Sequence, residues 1–145
     1  MHFTCYLRKG TVYIPTLGQM GKGFYRGIEP TAVASVSDTA HLKRAILDTI
    51  AHGNPAVPVM PGGNYPTPPV LKYAGVKTWG AFAKGTIPIS VDAKNGHYRI
   101  VGKKDRPDRG WEDDPDQTIT LPPGSTIDDL CDRLIAILQA KAAQA

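Results

Sequence analysis

The chain has 145 residues, of which 41% are hydrophobic and 21% charged, a composition that argues against global disorder and fits one domain around one core. Its apolar runs fall far short of the ~20 residues needed to cross a bilayer. The first eight residues lack a basic start, an apolar run and a cleavage site, so cytoplasmic residence is expected.

Residues 3–8 and 11–15 alternate and are rich in aromatic and apolar side chains, and Lys9-Gly10 between them predicts a hairpin. Gly18, Gly21 and Gly23 read as a loop. Residues 24–28 and 32–36 supply two further strands, broken at Glu29-Pro30. Residues 38–52 form the clearest helix: Ser37 or Asp38 caps it, Leu42, Ile46 and Ile50 share a face, and Gly53 ends it. Residues 54–69 hold six prolines and Gly62-Gly63, which predicts a long loop laid over the domain.

Residues 70–76 read as a short strand and residues 78–84 as a one- or two-turn helix. Asn95-Gly96 between alternating runs at 87–93 and 98–101 is a strong hairpin signal. A charged loop over 103–116 and a last strand at 118–121 follow. Ser125 with Asp128 resembles a capping box opening a second amphipathic helix along Ile127, Leu130, Cys131, Leu134 and Leu138. The whole predicts an α+β fold, an antiparallel sheet of hairpins packed by two amphipathic helices, with a long Pro/Gly-rich loop.

Chemistry-bearing motifs are missing. The four histidines form no H-x-x-x-H pair, no serine sits in G-x-S-x-G, and the glycine-rich stretches match no phosphate-binding fingerprint. Cys5 and Cys131 have apolar neighbours and read as buried thiols rather than a disulfide, and no C-x-x-C supports a metal site. No catalytic, cofactor or metal residue is therefore assigned, although an enzyme assembled from Tyr, His and Asp on separate loops would leave no motif.

Charge is more informative. Residues 1–104 carry a local +9 and residues 105–145 a local −5, within a formal +4. Lys72, Lys77, Lys84, Lys103 and Lys104, interleaved with Tyr65, Tyr73, Trp79 and Tyr98, would suit a nucleic-acid backbone, the rings stacking bases, although scattered lysines usually make a solvated face. Trp111, Glu112, Asp113, Asp114 and Asp116 would suit a basic cleft on a protein partner, the aromatic anchoring and the carboxylates steering. The same composition also describes an ordinary solvated loop.

Residues 3–15, FTCYLRKGTVYIP, and residues 72–79, KYAGVKTW, look like stretches of small uncharacterised proteobacterial proteins. In size and composition the chain resembles the immunity partners of contact-dependent growth inhibition systems. That resemblance implies a non-enzymatic, cytoplasmic protein that binds one cognate toxin domain, often a nuclease, and blocks its active site. It assigns no binding residue. Inhibitors of basic nucleases are commonly acidic, so this basic chain would use its acidic last third locally or face an acidic toxin.

Overall fold

A computed structural model describes residues 1–108 and 110–144, with Pro61 described by its backbone alone. Six strands form one antiparallel sheet: β1 (His2–Arg8), β2 (Thr11–Gln19), β3 (Tyr25–Ser35), β4 (Thr86–Lys94), β5 (His97–Asp105) and β6 (Trp111–Thr120). Their spatial order is β3-β2-β1-β4-β5-β6. Two hairpins set the register. Lys9 and Gly10 (φ 51° and 77°) join β1 to β2, and Asn95 and Gly96 (φ 55° and 77°) join β4 to β5. Positive φ at both central residues matches a tight turn to the right-handed twist of its strands.

Period-two alternation gives the sheet two different faces. Phe3, Cys5 and Leu7 of β1, Val12 and Ile14 of β2, Ile89 and Val91 of β4 and Ile100 of β5 point into the main core. That core is closed by α1 (Thr39–His52), through Leu42, Ala45 and Ile46, and by α4 (Ile127–Gln144), through Leu130, Cys131, Leu134, Ile135 and Leu138. Each fully buried Leu, Ile or Phe contributes roughly 1.5–3 kcal/mol of transfer free energy, so this face carries most of the stability. Both cysteines lie in it as free buried thiols, and burial pushes both upward in pKa.

The opposite face is covered in part by two helices of five residues, α2 (Val70–Ala74) and α3 (Trp79–Ala83). Val70, Leu71 and Phe82 form a second, smaller core against Tyr6 and Tyr13. Residues 54–69 run over the molecule as expected, apart from a single helical turn at Pro61–Gly63. Asn54 fastens their start: its carboxamide donates to the His2 and Leu17 carbonyls at 2.8 and 2.9 Å and accepts from the His2 amide at 2.9 Å. Val57 then lies on Gly18, where any Cβ would come within 2.7 Å of it.

Several local expectations are corrected. The expected strand over 70–76 is instead the helix Val70–Ala74 and its cap: Pro68 and Pro69 accept the first helical bonds, and Gly75 closes a Schellman motif with Gly75 N–H to Lys72 and Val76 N–H to Leu71. Gly18 belongs to β2, not to a loop, and β3 runs through Glu29-Pro30 as one strand with a register shift opposite Pro15/Thr16. The charged segment over 103–116 is strand at both ends, because Lys103, Lys104 and Asp105 pair with Asp113, Glu112 and Trp111. The capping box of α4 lies one residue later than Ser125/Asp128. Thr126 and Asp129 satisfy each other's backbone amides at 2.8 and 3.1 Å, while the Ser125 hydroxyl donates to Pro122.

Candidate protein-binding face

The sheet face opposite α1 and α4 gathers the residues with unused capacity. At its centre five aromatic rings interlock. Tyr6 lies 5.8 Å from Trp79, 5.3 Å from Phe82 and 6.2 Å from Trp111, and Trp79 lies 6.1 Å from Trp111 and 5.3 Å from Phe82; Tyr13 touches Phe82 at 6.1 Å. The mostly edge-to-face packing places positive ring edges on negative ring faces. Arg8 locks α3 down by donating from Nε to the Phe82 carbonyl.

Beside the cluster the strands present polar side chains that satisfy one another. Thr4 and Ser90 share a buried hydrogen bond of 3.0 Å across β1 and β4. Arg99 donates bidentately to Asp92 at 2.8 and 2.7 Å, and Lys103 is paired with Asp113.

The acidic residues expected to form a docking loop thus stand on edge strand β6, and they are not equivalent. Trp111 is half-buried in the aromatic cluster. Glu112 is 3.9 Å from Lys104, and Asp113 is held by Lys103. Asp114 accepts from the Asp116 amide at 3.0 Å and the Gln117 side chain at 2.6 Å, while its own carbonyl accepts from Thr118. The Gln117 contact, with the Asp116 amide behind it, holds the Asp114 carboxyl below the usual carboxylate range.

These bonds build a bulge in which residues 114–117 stand opposite Gly102 alone, between the pairs Val101–Thr118 and Lys103–Asp113. Gly102 is required by close approach: a Cβ there would sit 2.4 Å from Gln117 Cβ. Lys141 of α4 donates to Gln117 Oε1 at 2.7 Å and ties the bulge to the helix layer. Asp116, at the bulge, projects an exposed carboxylate.

The lysines proposed for nucleic acid fare similarly. Lys72 donates to Glu29 at 2.7 Å, and Lys103 and Lys104 face the β6 carboxylates. Lys77 and Lys84 have no carboxylate within 4.0 Å among the described residues.

Two further features of the surface go beyond the charge pattern. Among the described residues, five of the seven exposed large hydrophobic side chains are Phe24, Val59, Tyr65, Tyr73 and Trp79, four of them within residues 59–79. Exposed rings clustered in one ordered segment mark interaction surfaces more often than scattered ones. A pocket of about 370 Å³ also opens between the sheet and α2–α3, lined by His2, Tyr6, Leu17, Tyr25, Pro69 and Trp79 among others. His2 and Tyr25 stack at 4.7 Å on its wall. Burial lowers the His2 pKa and pushes the Tyr6 phenol up to about 12, so both stand uncharged at neutral pH. Among the described residues no group of three or more His, Cys, Asp or Glu side chains is arranged to hold a metal, and no helix is long and apolar enough to cross a membrane.

No protein-family model and no curated protein matches the sequence. Solved structures do match it. A Neisseria meningitidis protein of unknown function superposes with a TM-score of 0.65 at 12% identity, over 97% of this chain and 93% of that one. A chain of the CdiA-CT/CdiI toxin and immunity complex from Yersinia pseudotuberculosis superposes with a TM-score of 0.60 at 11% identity, over 94% of this chain and 95% of that one. At these identities the likeness is one of fold.

Proposed function

We propose that this chain is a non-enzymatic immunity protein that binds a cognate toxin domain through the sheet face carrying α2, α3 and the Trp111 end of β6. The observation that carries the reading is the near-complete overlap with one chain of a toxin and immunity complex. Two features of the surface support it. Exposed rings over residues 65–79 supply contact area, and the pairs Thr4–Ser90, Arg99–Asp92 and Lys103–Asp113 beside them hold part of the surface preformed, which lowers the ordering cost of association.

In this reading the β6 residues divide their work. Trp111 supports the aromatic cluster, Asp113 and Asp114 hold the strand and its bulge, and Glu112 and Asp116 supply the negative border that steers a basic partner. Steering charges at a rim act mainly on the association rate.

The test is expression of the C-terminal domain encoded by the neighbouring upstream reading frame, with and without this chain. The chain alone should leave growth unaffected, and co-expression should rescue cells from the toxin. Growth arrest by this chain alone would make it the toxic half, and failure to rescue would remove the immunity reading. In the purified complex, Glu112→Lys with Asp116→Lys should slow association about tenfold at low salt and much less at high salt. An unchanged rate would take β6 out of the interface.

A further inference from the structure

The pocket between the sheet and α2–α3 includes a positive charge that the chain leaves unanswered. Arg26 of edge strand β3 is among its lining residues, and the Arg26 Nε is buried with no hydrogen-bond partner. Among the described residues its guanidinium has no carboxylate within 4.0 Å. The register denies it a cross-strand partner, because Gly18 stands opposite it on β2 and carries no side chain. No Asp or Glu lines the pocket, and burial keeps His2 and Tyr6 on its wall neutral at pH 7. Arginine holds its charge at any physiological pH. A buried donor without an acceptor is destabilising, and in native proteins most such donors are paired.

We propose that this pocket is an anion site and seats one carboxylate, an Asp or Glu side chain of the toxin, on the guanidinium of Arg26. The proposal rests on the immunity reading and adds the recognition chemistry to it. A carboxylate accepts from Nε and a terminal nitrogen together, the two-bond geometry that makes such pairs strong. At about 370 Å³ the pocket sits near the lower end of the ~300–1,000 Å³ typical of ligand sites, which is room for a short acidic side chain. Apolar walls from Pro15, Leu17, Pro69, Val70 and Trp79 keep water away and strengthen the pair. The carboxylate comes from a protein rather than a free metabolite because Trp79, on the pocket wall, is 39% exposed, with Tyr73 and Tyr65 exposed on the neighbouring segment. A small acid would leave those rings in water, whereas a protein surface covers them as it delivers its side chain. Such a partner turns basic groups toward Glu112 and Asp116 and one acid toward Arg26, a mixed pattern that fixes its orientation.

Arg26→Met keeps an unbranched stem and removes the fork, which separates binding from folding. A charge that the fold leaves unpaired adds nothing to stability, so Arg26→Met should melt at or above the wild type. The chain is titrated with benzoate and with benzyl alcohol at fixed ionic strength, followed by NMR shifts of the Trp79 indole and the Leu17 and Val70 methyls. The expected result is millimolar benzoate binding, at least roughly tenfold tighter than that of benzyl alcohol. Arg26→Met should abolish that preference, and Arg26→Lys, which lacks the Nε donor, should weaken benzoate several-fold. Arg26→Met should also lower affinity for the toxin at least roughly tenfold.

Absence of any benzoate shift at these positions, equal binding of the alcohol, or benzoate binding unchanged in Arg26→Met overturns the anion site. Retained toxin affinity in an Arg26→Met chain that has lost benzoate overturns the partner carboxylate while leaving the immunity reading standing. Arg26-dependent benzoate binding by a chain that rescues no cells overturns the immunity reading and the partner carboxylate with it, and marks the pocket as a site for a free acid. Should Arg26→Met melt well below the wild type or fail to fold, Arg26→Lys decides, and undiminished benzoate and toxin affinity in that variant counts against the proposal.

Discussion

Asp114 shows how a carboxylate in an acidic run is committed to the fold. It receives the Asp116 amide and the Gln117 carboxamide, and both bonds favour its charged form. A carboxyl whose pKa is depressed by folding adds stability that is complete above its unfolded value, about 3.9, and is lost as pH falls through its folded value. Asp114→Asn should therefore lower the urea midpoint at pH 7 and narrow or close the gap to the wild type at pH 3. Equal gaps at both pH values would mean that the charge of Asp114 contributes nothing to the bulge. Glu29, lowered chiefly by Lys72, titrates in the same direction and remains in both proteins, so it cancels from the comparison. From sequence, Asp114 was one carboxylate among four; the distinction comes from Gln117 standing over Gly102, a contact made by folding.

At the scale of elements, helix periodicity and two-residue turns were legible, and short elements without a repeat were not. Residues 38–52 repeat their apolar positions over four turns, and the structure has α1 at Thr39–His52 with the Asp38 side chain capping the His41 amide. Lys9-Gly10 and Asn95-Gly96 each encode their turn within two residues. Val70–Ala74 is one helical turn, too short for periodicity to distinguish from a strand; its proline start and glycine stop were the better signal. Residues 112–117 have low strand propensity and include Pro115, yet they lie within β6, where Lys103 and Lys104 stand opposite Asp113 and Glu112 and cross-strand pairing outweighs propensity. The shifted capping box gives a direct check. Thr126→Ala, which leaves the Asp129 amide without its hydroxyl partner, should cost about 1 kcal/mol. Ser125→Ala, which loses an exposed bond to a carbonyl, should cost less. Reversed magnitudes in urea denaturation would return the cap to Ser125.

Across the whole molecule, folding brings part of the basic and acidic stretches of the linear sequence face to face. The basic stretch ending at Lys103 and Lys104 and the acidic stretch beginning at Glu112 become neighbouring strands, and Lys72 is met by Glu29 from β3. A nucleic-acid surface needs cations that are free to exchange for the counterions of a phosphate backbone. Of the five lysines that suggested one, Lys77 and Lys84 alone lack a carboxylate neighbour among the described residues. Two phosphate contacts give a slope of log K against log salt of about −1.4 on a single strand, against roughly −4 to −7 for the six to ten contacts of a dedicated site. Anisotropy of a labelled single-stranded oligonucleotide over a salt series should therefore show weak binding with the shallow slope, and Lys103→Ala with Lys104→Ala should change that slope little while lowering thermal stability through the lost pairs. A slope steeper than about −4 that flattens in this double variant would show that the lysines leave their carboxylates for phosphate, and would move the functional reading from a protein partner to a nucleic acid.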